Sequence, residues 1–163
     1  MPRAGRTRPR PSSPLTICCS ATGSLQRLRA AGVREASLTL NPTRVRPRDP
    51  DDRADLAAAR LIDGLQNRLW LDPLMRGWYP DDMLGLFERF RADRAIRPGD
   101  LAVISAPIDL LGVNYYQACL VGAEVGQPAA RQHPGSEGVV FLPQHKPVTG
   151  MDWPVDASGR TGA

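Results

Sequence analysis

The sequence predicts an α/β fold built on a parallel sheet, and three features predict it. Residues 35–41 alternate with period two, the mark of a half-buried strand. Residues 49–72 repeat apolar side chains at helical spacing, and residues 108–116 form a nearly continuous apolar run. A run of that kind suits a strand covered on both faces, as in a parallel sheet with helices outside.

The elements follow in order. Ala36, Leu38 and Leu40 share one strand face and Ser37 and Thr39 the other, until Asn41-Pro42 breaks the pattern. Asp49, Asp51 and Asp52 then open a helix, because carboxylates favour the positive end of its dipole. Its apolar positions are Ala54, Ala58, Leu61, Ile62, Leu65 and Leu69, and it is expected to end near Asp72-Pro73. A second helix fits residues 81–90 behind Pro80, with Met83, Leu86, Phe87 and Phe90 turned inward. Pro98-Gly99-Asp100 turns the chain into a short helical stretch at 101–104. The apolar run ends on polar residues: Asn114 and Tyr116, two apart, lie on one face. They either line a pocket or cap the strand end. Residues 122–138 read as a loop, and 139–142 and 148–155 as short extended pieces.

Composition excludes several classes. The net charge of +4 conceals an uneven spread: residues 1–48 hold ten Arg and the single acid Glu35, for +9, so residues 49–163 carry −5. Arg3, Arg6, Arg8 and Arg10 form a basic arm able to touch phosphates, yet no basic helix face with interleaved aromatics follows, and a nucleic-acid partner is not expected. Pro and Ser in that arm point to a disordered segment. No run approaches the roughly 20 apolar residues of a membrane span, so no membrane partner is expected, and the cytoplasm is the default location. Cys18, Cys19 and Cys119 make no disulfide framework, and His133 and His145 have no second ligand at metal spacing; no metal and no cofactor are expected.

Four ordered landmarks carry a resemblance. They are Asn67-Arg68-Leu69-Trp70-Leu71-Asp72-Pro73, Gly77-Trp78-Tyr79-Pro80, the run from Pro107 through Asn114-Tyr115-Tyr116, and Thr149-Gly150-Met151-Asp152-Trp153. In order and spacing the chain resembles family-one glycoside hydrolases, the β-glucosidase family. That resemblance implies a partial (β/α)8 TIM barrel: a slice around the fifth and sixth strands with disordered ends, since a whole barrel needs about 250 residues. The implied division is a basic, disordered or out-of-frame segment at 1–32, the partial barrel at 33–159 and a tail at 160–163. Residues 17–24 stand where the family has a His-Gly-Leu-Ala type segment, and GC-rich codons read in another frame can spell it.

The family hydrolyses β-glucosides with two glutamates, in Asn-Glu-Pro and Thr-Glu-Asn-Gly motifs. Neither motif occurs here, and none of Glu35, Glu88, Glu124 and Glu137 has the required neighbours, so no catalytic residue is assigned. The resemblance implies that Asn114 binds the sugar and that Tyr116 donates to the nucleophilic carboxylate. Trp153 would stack on the sugar or leaving group, or else simply pack a loop, and Asn41 is a candidate on the leaving-group side. Asp152 departs from the family's usual Gly; if that position needs a positive φ, the departure displaces the Trp153 ring. The expected partners are a β-glucoside and complementary barrel fragments. Three classes stand: a β-glucosidase fragment inactive alone, a non-catalytic remnant or interaction piece, and a basic-armed nucleic-acid binder.

Overall fold

The computed structural model describes residues 27–91, 96–125, 135–144 and 146–156. Of the segment 1–32 expected to be disordered, residues 27–30 form a helical turn whose Arg29 pairs with Asp109, while residues 1–26 and 157–163, with Cys18, Cys19, His133 and His145, lie outside the described residues. The described residues form a small α/β piece. In order its elements are β1 (Ser37–Leu40), β2 (Val45–Pro47), α1 (Arg53–Asp63), a π-helical turn (Gly64–Arg68), α2 (Leu69–Arg76), α3 (Asp81–Arg89), α4 (Asp100–Ile104), β3 (Leu110–Val113), β4 (Cys119–Ala123) and β5 (Val139–Leu142).

The expected parallel pairing is present. β1 and β3 lie side by side in parallel, Ser37 opposite Leu110 through Leu40 opposite Val113. Asp109 fastens the entrance of this pair: its carboxylate accepts from Ala36 N at 2.7 Å and from Arg29 at 2.6 Å, and its own N–H donates to Ala36 O. Gly112 lets the strands meet closely, since a Cβ there would fall 2.5 Å from Thr39 Oγ1. The apolar run is less enclosed than its composition suggests. Only four of its residues form strand, and Leu110 and Val113 are both 59% exposed, because β1 is the one strand paired with β3 among the described residues.

A second sheet carries β2, β4 and β5, with β4 parallel to β2 and antiparallel to β5; the extended piece expected at 139–142 is β5, whereas β2 and β4 are not expected from the sequence and β4 reaches Ala123, into the stretch expected as loop. Three-residue β2 and the Gly-containing β4 are too short to show a period. Helix α1 covers this sheet, burying Ala58, Ala59 and Ile62 against Val121 and Val139. A second cluster joins Leu69, Tyr79, Met83, Phe87 and Ile104 from α2, α3, α4 and the α2–α3 link, and Leu61 and Leu65 pack against both clusters.

Three helix expectations are corrected. The first helix does not stop at Asp72-Pro73: α2 runs to Arg76 and ends at Gly77, whose φ of 78° suits glycine, with the Gly77 N–H donating to Asp72 O and Pro73 O. Pro73 is tolerated inside because the ladder has already been reset by the π turn, where Leu69 N–H reaches back to Gly64 O. Phe90 does not face inward; it is 48% exposed, with the Arg89 guanidinium 5.1 Å from its ring centre. Ala54 is likewise exposed, and its neighbour Asp55 takes the buried place.

Candidate functional site

The candidate residues meet where the two sheets part. β1 and β3 end together, and the chains separate and pair again as β2 and β4. Between Val113 and Cys119 lie residues 114–118, whereas between their partners Leu40 and Val45 lie only residues 41–44. The extra residue makes a bulge at the carboxyl end of the β1–β3 pair, a place where strands redirect side chains. Asn114 N–H still donates to Leu40 O, so Asn114 sits one step past the last paired position, beside Asn41. Its Nδ2 donates to Asn41 Oδ1 at 3.0 Å. Both carboxamides are exposed, with donor and acceptor capacity to spare.

Tyr116 and Trp153 form the second pair, edge to face, with ring centres 5.5 Å apart and planes at 78°. They remain 55% and 40% exposed. Trp153 is delivered by a tight hairpin over residues 148–154: Val148 pairs with Pro154, Thr149 N–H donates to Trp153 O, and Asp152 N–H donates to Thr149 O. Thr149 Oγ1 accepts from Met151 N and Trp153 N, both at 3.3 Å. Such three-residue loops need a left-handed residue before the return strand, and Asp152 supplies it at φ 58°. The position therefore does call for a positive φ, as the family glycine implied. Asp tolerates this region, and Trp153 meets Tyr116 edge to face. At the base of the hairpin, buried Asp156 pairs with Lys146 at 2.7 Å and Arg46 at 3.6 Å.

Asn67 holds the other wall. Its Oδ1 accepts from Thr43 N at 2.9 Å while its Nδ2 donates to Thr43 O at 2.8 Å and Asp63 Oδ1 at 2.7 Å. This clamp ties the loop after Asn41 to the π turn. The sequence reading singled out Asn67 only as part of a landmark, because a reciprocal bond to a backbone 24 residues away leaves no periodic trace.

Asp55, also missed, locks the far side. It is fully buried, accepting from Arg48 Nε and Nη2 at 2.9 and 2.8 Å, from Asp49 N at 3.1 Å and from Ala123 N at 2.7 Å. Burial alone would push its carboxyl up; the Ala123 N–H, Arg48 and the Asp49 N–H outweigh that and hold it below the usual carboxylate range. Cys119, which lines the cleft beside Trp153, is driven the other way: burial, with Asp63 adding, pushes its thiol up to about 11.

Carboxamides beside exposed aromatic rings, at the carboxyl ends of parallel strands, give a surface suited to hydroxyl-rich, uncharged ligands: hydrogen-bonding groups for the hydroxyls, flat apolar faces for the ring. The model of glycosyl hydrolase family 1 matches residues 22–161, and the chain belongs to that family. It is 42% identical over 131 residues to thermostable beta-glucosidase B of Thermobispora bispora, covering 80% of this chain and 26% of that protein. It is 36% identical over 109 residues to a bifunctional beta-D-glucosidase/beta-D-fucosidase of Bifidobacterium breve, covering 64% and 24%. The crystal structure of a psychrophilic beta-glucosidase from Micrococcus antarcticus superposes with a TM-score of 0.78 at 37% identity, over 87% of this chain and 33% of that one. The chain thus spans 24 to 33% of the length of these relatives.

Proposed function

We propose that residues 33–159 are the part of a retaining β-glucosidase barrel around its fifth and sixth strands, and that they hold substrate without themselves cleaving it. The observation that carries this reading is the convergence of Asn41 with Asn114 and of Tyr116 with Trp153 at the end of the parallel β1–β3 pair. Asn114 offers one carboxamide to sugar hydroxyls, and Asn41 faces the leaving-group side. Trp153 gives the apolar face of a pyranose a flat ring to cover. The Tyr116 hydroxyl donates to the carboxylate that attacks the anomeric carbon, keeping it ionised and oriented.

That carboxylate and its acid partner come from outside these residues. Retaining hydrolysis needs two carboxyl groups about 5–5.5 Å apart, one to form the glycosyl-enzyme and one to protonate the departing oxygen. The chain contains neither an Asn-Glu-Pro nor a Thr-Glu-Asn-Gly motif. Supplied with the remaining barrel strands as complementary fragments, the site gains both.

The test is hydrolysis of an aryl β-glucoside by the purified chain, with an intact family member as positive control. The expected rate is that of the blank. Turnover that scales with protein and falls in a Tyr116→Phe variant overturns the reading.

A further inference from the structure

Gln66 lies in the π turn, and with Thr43 it lines two cavities. One, of about 490 Å³, is walled by Asn41 and Trp70; the other, of about 450 Å³, by Gln117 and Trp153. Gln66 therefore borders both the cavity of Asn41, which the proposed function places on the leaving-group side, and the cavity of Trp153, which it sets against the sugar. We infer that Gln66 contacts the leaving group and that its carboxamide selects a sugar there over an aryl group.

Three observations carry this, and it rests on the proposed function. The π turn widens the helix and pushes out one extra residue, a distortion found mostly where a side chain has work beyond the helix. Its orientation is set, because the next residue, Asn67, is clamped to both backbone groups of Thr43. The chemistry fits as well. A carboxamide both donates and accepts, like a hydroxyl, and Gln66 Oε1 lies 4.0 Å from the weak donor Cys119 Sγ. Across the cleft, Gln117 Oε1 is buried with no hydrogen-bond partner among the described residues, an acceptor a ligand hydroxyl can satisfy. An aryl leaving group offers these carboxamides nothing.

The experiment is an NMR titration of the isotope-labelled 163-residue chain with a β-1,4-linked glucose disaccharide and, separately, an aryl β-glucoside. The disaccharide is expected to move the Gln66 side-chain amide and the Trp153 indole resonance. Replacing Gln66→Leu is expected to weaken the disaccharide about three- to tenfold, the worth of one neutral hydrogen bond, and to leave the aryl glucoside unchanged. If the variant does not fold, the wild-type shifts alone decide. Shifts at Asn114 and Tyr116 without Gln66, or equal weakening of both ligands, overturn the inference and leave the proposed function standing. Silence at Asn41, Asn114, Tyr116 and Trp153 with both ligands overturns the proposed function, and the inference with it.

Discussion

Asp152 carries its hairpin at a backbone angle that glycine adopts without cost, and a short polar side chain is the next best choice. Replacing Asp152→Gly is expected to leave the Tyr116–Trp153 contact in place and to change stability by less than about 1 kcal/mol. Asp152→Val, β-branched in the left-handed region, is expected to cost more than that and to shift the Trp153 indole resonance. Urea denaturation followed by NMR of the indole checks both. Cys119 gives a second outcome at this scale. With its thiol pushed up to about 11 by burial, alkylation at pH 8 is expected to be slow in the native chain and to accelerate sharply in denaturant. Equal rates in the two states would show that the thiol is not shielded.

Among the elements, the helical layer is fastened at Arg68. Its Nε donates to Asp63 at 2.8 Å, its Nη1 and Nη2 donate to Asp82 at 2.7 and 2.9 Å, and Nη2 also reaches Arg60 O. One planar fork thus joins the end of α1, the π turn and the start of α3, which a lysine cannot imitate. The Arg68 hydrogen bonds, outweighing burial, hold the Asp82 carboxyl below its ordinary value. A group with a lowered folded pKa stabilises the fold above the unfolded value of 3.8 and loses that contribution as pH falls through the folded pKa. The Asp82 contribution to the thermal midpoint is therefore expected to be constant from pH 6 to 7 and to fall away below about pH 4, and Asp82→Asn is expected to flatten part of that acid limb. The β1–β3 contact makes its own demand. Gly112→Ala puts a methyl against Thr39 and is expected to cost about 1–3 kcal/mol, read from denaturation midpoints.

For the molecule as a whole, the two sheets differ in how well they are covered. The β2–β4–β5 sheet has α1 on it, with Val121 fully buried, whereas Leu110 and Val113 of β3 stay exposed. A strand pair with open edges and apolar side chains in water is a poor end state. The isolated chain is accordingly expected to bind a dye for exposed apolar surface, and its amides in β1 and β3 to exchange faster than those in α1 and β4. A monomer with one sharp thermal transition and uniformly protected amides would contradict this and mark a self-sufficient domain.

Local pattern was enough to place most of the helical layer and the two strands β1 and β3, while the order of the landmarks named the family and, through it, implied the parallel partnership of β1 with β3. Periodicity reports which face of a segment is buried, and landmarks in order report a family. It did not determine the second sheet, the π turn, the burial of Asp55 or the exposure of Phe90. Asp49, Asp51, Asp52 and Asp55 read alike in a row of letters; only the arrival of Arg48 and the Ala123 N–H at one of them decides which carboxylate is buried. The site divides the same way. Asn114 and Tyr116 were legible because they interrupt an apolar run, but their partnerships depend on tertiary placement. Asn41 lies 73 residues from Asn114, and Trp153 reaches Tyr116 only because its hairpin turns at Asp152. Contacts across such separations are set by how strands register and loops close, which no local pattern encodes.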